Sequence, residues 1–311
     1  MLFRSVMQRD SPETGNAARR RAILLVLAGS ALFTFSSAII KWLGPAIPTF
    51  ELIAIRSVFA LIPLLPLFAR HGGWHALRTR HWRLHTQRSI FGFIGMVTSI
   101  HGYVVLPLAL VTALGFVMPL FLVALSVPLL GEKVGWRRGV AVAIGFLGVL
   151  VMVRPWLAFA PDVATQVPLL SVTIVIAGVA TWALAMIAIR KIGHTGDPAV
   201  TITAWFTIGG MVIAGVLCIP VWVTPTLPQF LAMAAIGLIA GLAQVMMTEG
   251  YRTGETTLLA PFEYVAIIFA TALGATVWQE IPDGWDIAGI TIIVASGLYV
   301  WRSEAGSGGW K

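Results

Sequence analysis

Apolar residues run through the chain in blocks of about 20, separated by short clusters of Pro, Gly and charge. A helix of that length crosses a hydrocarbon core of roughly 30 Å at about 1.5 Å per residue. In lipid every backbone N–H and C=O needs an internal partner, so blocks of this kind must be helices. Barrel strands would instead read as alternating segments of roughly 10 residues, and that rhythm does not dominate here. The breaks delimit ten segments: 22–43, 49–69, 88–107, 108–130, 136–154, 168–190, 199–222, 228–250, 256–279 and 285–301. The pattern predicts an all-α membrane protein of ten transmembrane helices. The first block follows Arg19, Arg20 and Arg21, as a signal peptide would. It is longer than a usual signal core, and no small-residue cleavage pattern precedes Lys41 and Trp42, so it reads as a retained span.

Composition strengthens this picture. The chain is 58% hydrophobic and 11% charged, with a mean hydropathy of +0.89, whereas a soluble domain carries about 25% charged residues. One cysteine, Cys218, rules out a disulfide framework. The sequence implies no cofactor and no metal, because nothing orders its histidines as ligands.

A net charge of +8 raises the question of nucleic acid, and the distribution of the basic residues answers it. With the N-terminus inside, 18 of the 21 basic residues fall in the tails and loops of one side, and only Arg154 lies on the other. That asymmetry is the positive-inside signature. It predicts a multi-pass protein of the cell inner membrane with both termini cytoplasmic, partnered by the lipid bilayer and by no nucleic acid. The run Arg78, Arg80, His81, Arg83, His85 and Arg88 reads as a solvated inner loop facing anionic lipid.

The two halves echo each other. Lys41 and Pro48 recur as Lys191 and Pro198, shifted by 150; Gly131-Glu132 recurs as Gln279-Glu280 and Gly102-Tyr103 as Gly250-Tyr251, both shifted by 148. Each half holds five spans, and an odd number sets the two copies in opposite orientations. Inverted repeats of this kind are a plan of secondary transporters, with the substrate near the midplane. The organisation expected is a tail at 1–21, repeats at 22–154 and 168–302, and a tail at 303–311.

These residues resemble the drug/metabolite transporter superfamily, in its ten-span EamA-type family. The likeness covers nearly the whole chain and is carried by Pro48-x-x-Glu51 with Arg56, by Pro119 thirteen residues before Glu132, and by the stretch LLAPFEYVAIIFATALGATVWQEIPDGWDIAGITIIVASGLYV. That last stretch is similar to a branch of metabolite, S-adenosylmethionine and riboflavin transporters. The resemblance implies a carrier without implying its substrate. At Glu263-Tyr264 many relatives have Glu-Pro, so the kink expected from Pro119 has no proline counterpart in the ninth span.

Ionisable groups inside a membrane cost about 2.5–3.5 kcal/mol each by insertion scales, and each is a candidate for function. Depth along the spans groups Glu51, Arg56, His101 and Tyr103 in the outer half. Arg56 there could capture an anionic or zwitterionic group, or could pair with Glu51 as a structural lock. The inner half gathers Trp182, Trp205, Gln244, Glu263 and Tyr264. Glu263 could bind a substrate ammonium, exchange a coupling proton, or serve as a protonated hydrogen-bonding group between helices. His101 could titrate or tie two helices together; the two tryptophans could stack on a flat substrate or simply pack. Pro119, Glu132 and Glu280, with Glu51, are candidate structural or gating positions.

No HExxH, GxSxG or phosphate-cradling glycine loop is present, which argues against an enzyme. A channel or structural protein is the remote alternative. The expected function is a secondary transporter of a small organic metabolite. Opposite charges on Arg56 and Glu263 favour export of a zwitterionic amino-acid-like or opine-like compound. Import of a vitamin or nucleoside-like metabolite, such as riboflavin or S-adenosylmethionine, is the alternative.

Overall fold

The computed structural model describes residues 12–70, 73–130, 136–154, 168–193, 195–253 and 262–306. Among them the chain is helical, in ten consecutive segments. The first is α1 (Pro12–Leu43) and the second is α2 (Thr49–Ala60) continued by α3 (Leu65–Arg70). The third is α4 (Trp82–Val105), and the fourth is α5 (Leu108–Gly115) followed by α6 (Met118–Leu130). Then come α7 (Trp136–Val153), α8 (Leu169–Gly193), α9 (Ala199–Cys218), α10 (Leu227–Thr253), α11 (Val265–Trp278) and α12 (Gly284–Gly306). Each segment coincides with one apolar block of the sequence. Pro48, Pro107 and Pro198 stand immediately before α2, α5 and α9, where a missing N–H costs nothing because the first turn has no partner for it.

The outside of the bundle is apolar. Leu147 is 56% exposed, Val216 61% and Ile268 65%, and large exposed apolar surface of this sort belongs against lipid. Arg20–Ala46, Thr49–Arg70, Leu169–Ile189, Val200–Val221 and Leu227–Met247 have the length and hydropathy of membrane spans, and shorter apolar helices accompany them. The third segment is long enough, at 24 residues, but carries His85, Arg88 and His101 along its length.

The halves meet about a pseudo-twofold axis, and specific contacts show it. Ser296 Oγ donates to the Ala141 carbonyl at 2.7 Å, while Gly289 and Gly148 bring their backbones together. Adding 148 to Ala141 gives Gly289, and adding it to Gly148 gives Ser296, so these two contacts between α7 and α12 are one contact repeated. Ser89 against Trp205 and Gly237 against Arg56 join equivalent pairs of spans, the third to the seventh and the eighth to the second. A side chain at Gly148, Gly237 or Gly289 would strike the facing helix, so small residues set this close approach, as at other membrane helix interfaces.

Three segments are broken. The second is interrupted by a 3₁₀ turn at Ile62–Leu64 containing Pro63. The fourth turns at Phe116 and Val117, whose N–H groups reach back to Ala113 and Leu114. Pro119 was expected to kink this span, but the break precedes it, and Pro119 is the second residue of α6. The ninth breaks too, at Tyr264, where no proline stands. Phe116 and Tyr264, 148 apart, stack with centroids 4.5 Å apart and planes 28° from parallel. The two breaks therefore face each other across the pseudo-twofold axis.

Candidate functional site

A cavity of about 330 Å³ lies at mid-height between the two halves. Its walls come from spans one to three (Ser37, Arg56, Met96 and Tyr103 among them) and six to eight (Trp182, Phe206 and Gln244). Spans four, five, nine and ten pack beside it as a scaffold.

The cavity wall has a distinct chemistry. Among the described residues Arg56 is the sole charged one in the wall, and no Asp or Glu lines it. The Arg56 Nη1 donates to the Met96 sulfur at 3.1 Å, and its buried Nε has no partner. Tyr103 lies beside Ser37 within electrostatic reach of Arg56. Five hydroxyl residues complete the polar part: Ser36, Ser37, Ser99, Thr203 and Thr207. Ser37, Ser99 and Thr207 donate to carbonyls four residues back on their own helices, at 3.0, 2.8 and 3.0 Å. Their oxygens are left as acceptors, the Tyr103 hydroxyl is hydrogen-bonded to Ser37, and the unpartnered Nε of Arg56 is a donor left for a ligand. Trp182 meets the edge of Phe206 at 5.8 Å and 61°, giving one side of the cavity an aromatic face.

Not all candidates converge here. Arg56 and Tyr103 line the cavity together with Trp182 and Gln244, which joins residues expected at two different depths. His101 does not line it; its Nε2 lies 3.1 Å from Ser171 Oγ, tying α4 to α8. Glu51 is fully buried and does not meet Arg56. Its Oε2 accepts from the Val223 N–H at 3.0 Å, beyond the end of α9. Five residues along a helix is a rotation of about 140°, so the two side chains leave α2 in different directions. Trp205 turns away from the cavity: its Nε1 donates to the Leu77 carbonyl at 3.0 Å. Glu263 and Tyr264 sit at the break of the ninth span, outside the cavity wall. Glu132 lies outside the described residues.

Glu280 forms a clasp. Its Oε1 is 2.8 Å from Lys41 Nζ, and its Oε2 accepts from the Leu108 N–H at 3.1 Å. Lys41, 8% exposed, also donates to the Leu106 carbonyl at 2.7 Å and sits over Trp278. One end of the first span, the turn between spans three and four, and the end of the ninth are thus held together.

At the opposite end a second cluster forms around Asp197. Its Oδ2 accepts from Thr79 Oγ1 at 2.6 Å and faces His85 Nε2 at 2.9 Å and His81 Nδ1 at 3.8 Å. Burial would raise this carboxyl, but the Thr79 and His85 hydrogen bonds outweigh it and hold it below the ordinary aspartate range. His85 and Arg88 were expected in a solvated loop. They are instead 0% and 8% exposed, on the buried face of α4. Periodicity carried the signal, because His85, Arg88, Gly92, Gly95 and Met96 fall on one helical stripe.

Known transporters are similar to this chain in sequence. The S-adenosylmethionine uptake transporter of Rickettsia prowazekii (strain Madrid E) is 25% identical over 266 residues, covering 85% of this chain and 86% of its own. The pseudopaline exporter CntI of Pseudomonas aeruginosa (strain UCBPP-PA14) is 27% identical over 287 residues, 92% and 98% of the two chains. The riboflavin transporter of Rhizobium johnstonii is 27% identical over 292 residues, 91% of each. A solved crystal structure shares the fold, with a TM-score of 0.63 at 20% identity over 92% of this chain and 99% of that one. The EamA-like transporter family matches twice, at residues 20–154 and 169–302. Two matches in tandem, related by the same symmetry as the helices, make this chain a member of the EamA-like transporter family.

Proposed function

We propose that this chain is a secondary carrier that binds a small organic metabolite in the cavity at Arg56 and exposes it alternately to the two faces of the inner membrane. The observation that carries the reading is a guanidinium at mid-height between inverted halves, in a cavity to which no described residue adds a carboxylate. Such a wall favours a substrate bearing an anionic group, a carboxylate or phosphate held by Arg56, with its flat or apolar part against Trp182 and Phe206. The zwitterion expected from Arg56 and Glu263 is less favoured, because Glu263 is absent from the wall. Relatives named for uptake, for export and for riboflavin support a metabolite carrier. The basic tails and loops support an orientation with both termini cytoplasmic, which makes the Lys41–Glu280 clasp the outer closure.

The test is counterflow in proteoliposomes with labelled metabolites, comparing wild type with Arg56→Gln and Glu263→Gln. Saturable exchange in wild type and loss of affinity for anionic solutes in Arg56→Gln are expected. A Glu263→Gln protein that abolishes exchange while Arg56→Gln does not would move the binding site to the ninth span.

A further inference from the structure

The cavity reading leaves one buried charge unused. Arg88 lies on α4 eight residues before Met96, the residue whose sulfur touches Arg56, so the backbone positions of the two are about 12 Å apart along the helix axis. Its guanidinium carbon is 3.8 Å from the Phe206 ring centre and 5.8 Å from that of Trp182. Those are the same two rings that line the cavity. Arg88 is 8% exposed, and its Nε and Nη1 have no hydrogen-bond partner. No carboxylate pairs with it among the described residues.

The direction of the side chain argues against simple accommodation of a stray charge. An arginine near the end of a span ordinarily snorkels toward water. Arg88 instead extends along α4 toward the middle of the bundle, where it occupies the space a side chain at position 92 would need; Gly92 leaves that space open. The aromatic faces recover part of the lost hydration, but a buried guanidinium with unused donors still lacks the anion that would satisfy it.

We infer that Arg88 is a second binding station for the anionic group of the carried metabolite, separated from Arg56 by the Trp182–Phe206 pair. This rests on the carrier reading and deepens it. The two rings act as a partition: when they part, a carboxylate or phosphate released by Arg56 meets Arg88 next, on the way to the Asp197 end of the bundle. Two cationic stations, neither paired with a carboxylate among the described residues, make the carrier selective for anions over otherwise identical neutral compounds.

The test uses matched pairs differing only in a phosphate, riboflavin with flavin mononucleotide and adenosine with adenosine monophosphate. Counterflow of each is measured with the full-length protein in phosphatidylcholine liposomes. The wild type is expected to exchange a phosphorylated member. Arg88→Gln should slow that exchange roughly tenfold to a hundredfold, the value of a lost hydrogen-bonded charge, and leave the neutral member unchanged. Arg88→Lys should recover most of the rate, and Arg88→Met, with the same expected loss, replaces Arg88→Gln if that variant does not fold. Equal effects on both members, or no effect on either, would overturn the proposal and leave Arg88 structural. An effect seen only when phosphatidylglycerol is present would also overturn it, by assigning the anion to a lipid headgroup. Wild type that exchanges only neutral members would end the two-station idea while keeping the carrier. Exchange of neither member would end both.

Discussion

At the scale of single residues, neighbours in sequence turned out to be strangers in space. Glu51 and Arg56 share a helix but serve different ends, one capping the Val223 backbone and the other lining a cavity. His85 and Arg88 share a buried stripe yet also divide, the first joining Asp197 and the second two aromatic rings. Asp197 is the residue whose role depends most plainly on pH. Its folded carboxyl is held below the ordinary aspartate range, so the unfolded chain binds its proton more readily. Its contribution to stability is complete above about pH 4 and disappears as pH falls through that range. Asp197→Asn should therefore lower stability by about 1–3 kcal/mol at neutral pH, the value of hydrogen bonds to a charged group. Thermal unfolding of both proteins between neutral pH and about pH 3 should show the gap closing; a constant gap would mean the charge is not what holds the cluster.

At the scale of elements, the broken segments matter most. Pro119 offered a kink to the fourth span, and Glu263-Tyr264 offered no proline counterpart to it in the ninth. Both spans break, and at the break of the ninth Tyr264 meets residues far away in the chain. Its ring stacks on Phe116, and its hydroxyl lies against Gly297 of α12. A contact between residues 148 apart leaves no trace in local sequence. Tyr264→Ala should remove the stack and cost roughly 2–4 kcal/mol, in the range of large-to-small changes at packed sites, while Tyr264→Phe should keep most of the stability. Equal thermal midpoints for the two variants would show that the stack does not hold the paired breaks together.

At the scale of the whole molecule, one end of the bundle is closed by Lys41, Glu280 and the turn at Leu106 and Leu108. Breaking a buried pair by removing one partner exposes the other to the cost of an uncompensated charge, about 3–5 kcal/mol when fully buried; Glu280, 23% exposed, should give less. Glu280→Gln should therefore shift the carrier toward a state open at this end. The measurement is labelling of a cysteine placed at Ser37 by an impermeant thiol reagent, in a background where Cys218 is replaced by serine. Faster labelling in Glu280→Gln is expected, with Lys41→Gln matching it. Unchanged labelling would make the clasp a static brace.

Which parts of this protein were readable in advance follows from the range of the forces involved. The bilayer acts on each residue where it stands: it demands internal hydrogen bonds, penalises charge and sorts Lys and Arg to one side. Those demands are local, so the ten helices, their all-α character and the duplicated plan were legible in the order of residues alone. The family resemblance followed from the same motifs. The cavity was another matter. Arg56, Trp182 and Gln244 reach one space from three helices, and whether Glu263 joins them depends on helix rotations that no periodicity records. Close approach at Gly148, Gly237 and Gly289 sets those rotations, and only the packed bundle decides which polar atoms then meet. That is why Lys41 found Glu280 and Arg88 found two aromatic rings. Both are long-range consequences of packing, written into the sequence solely as a lysine, a glutamate and an arginine that membrane helices would otherwise exclude.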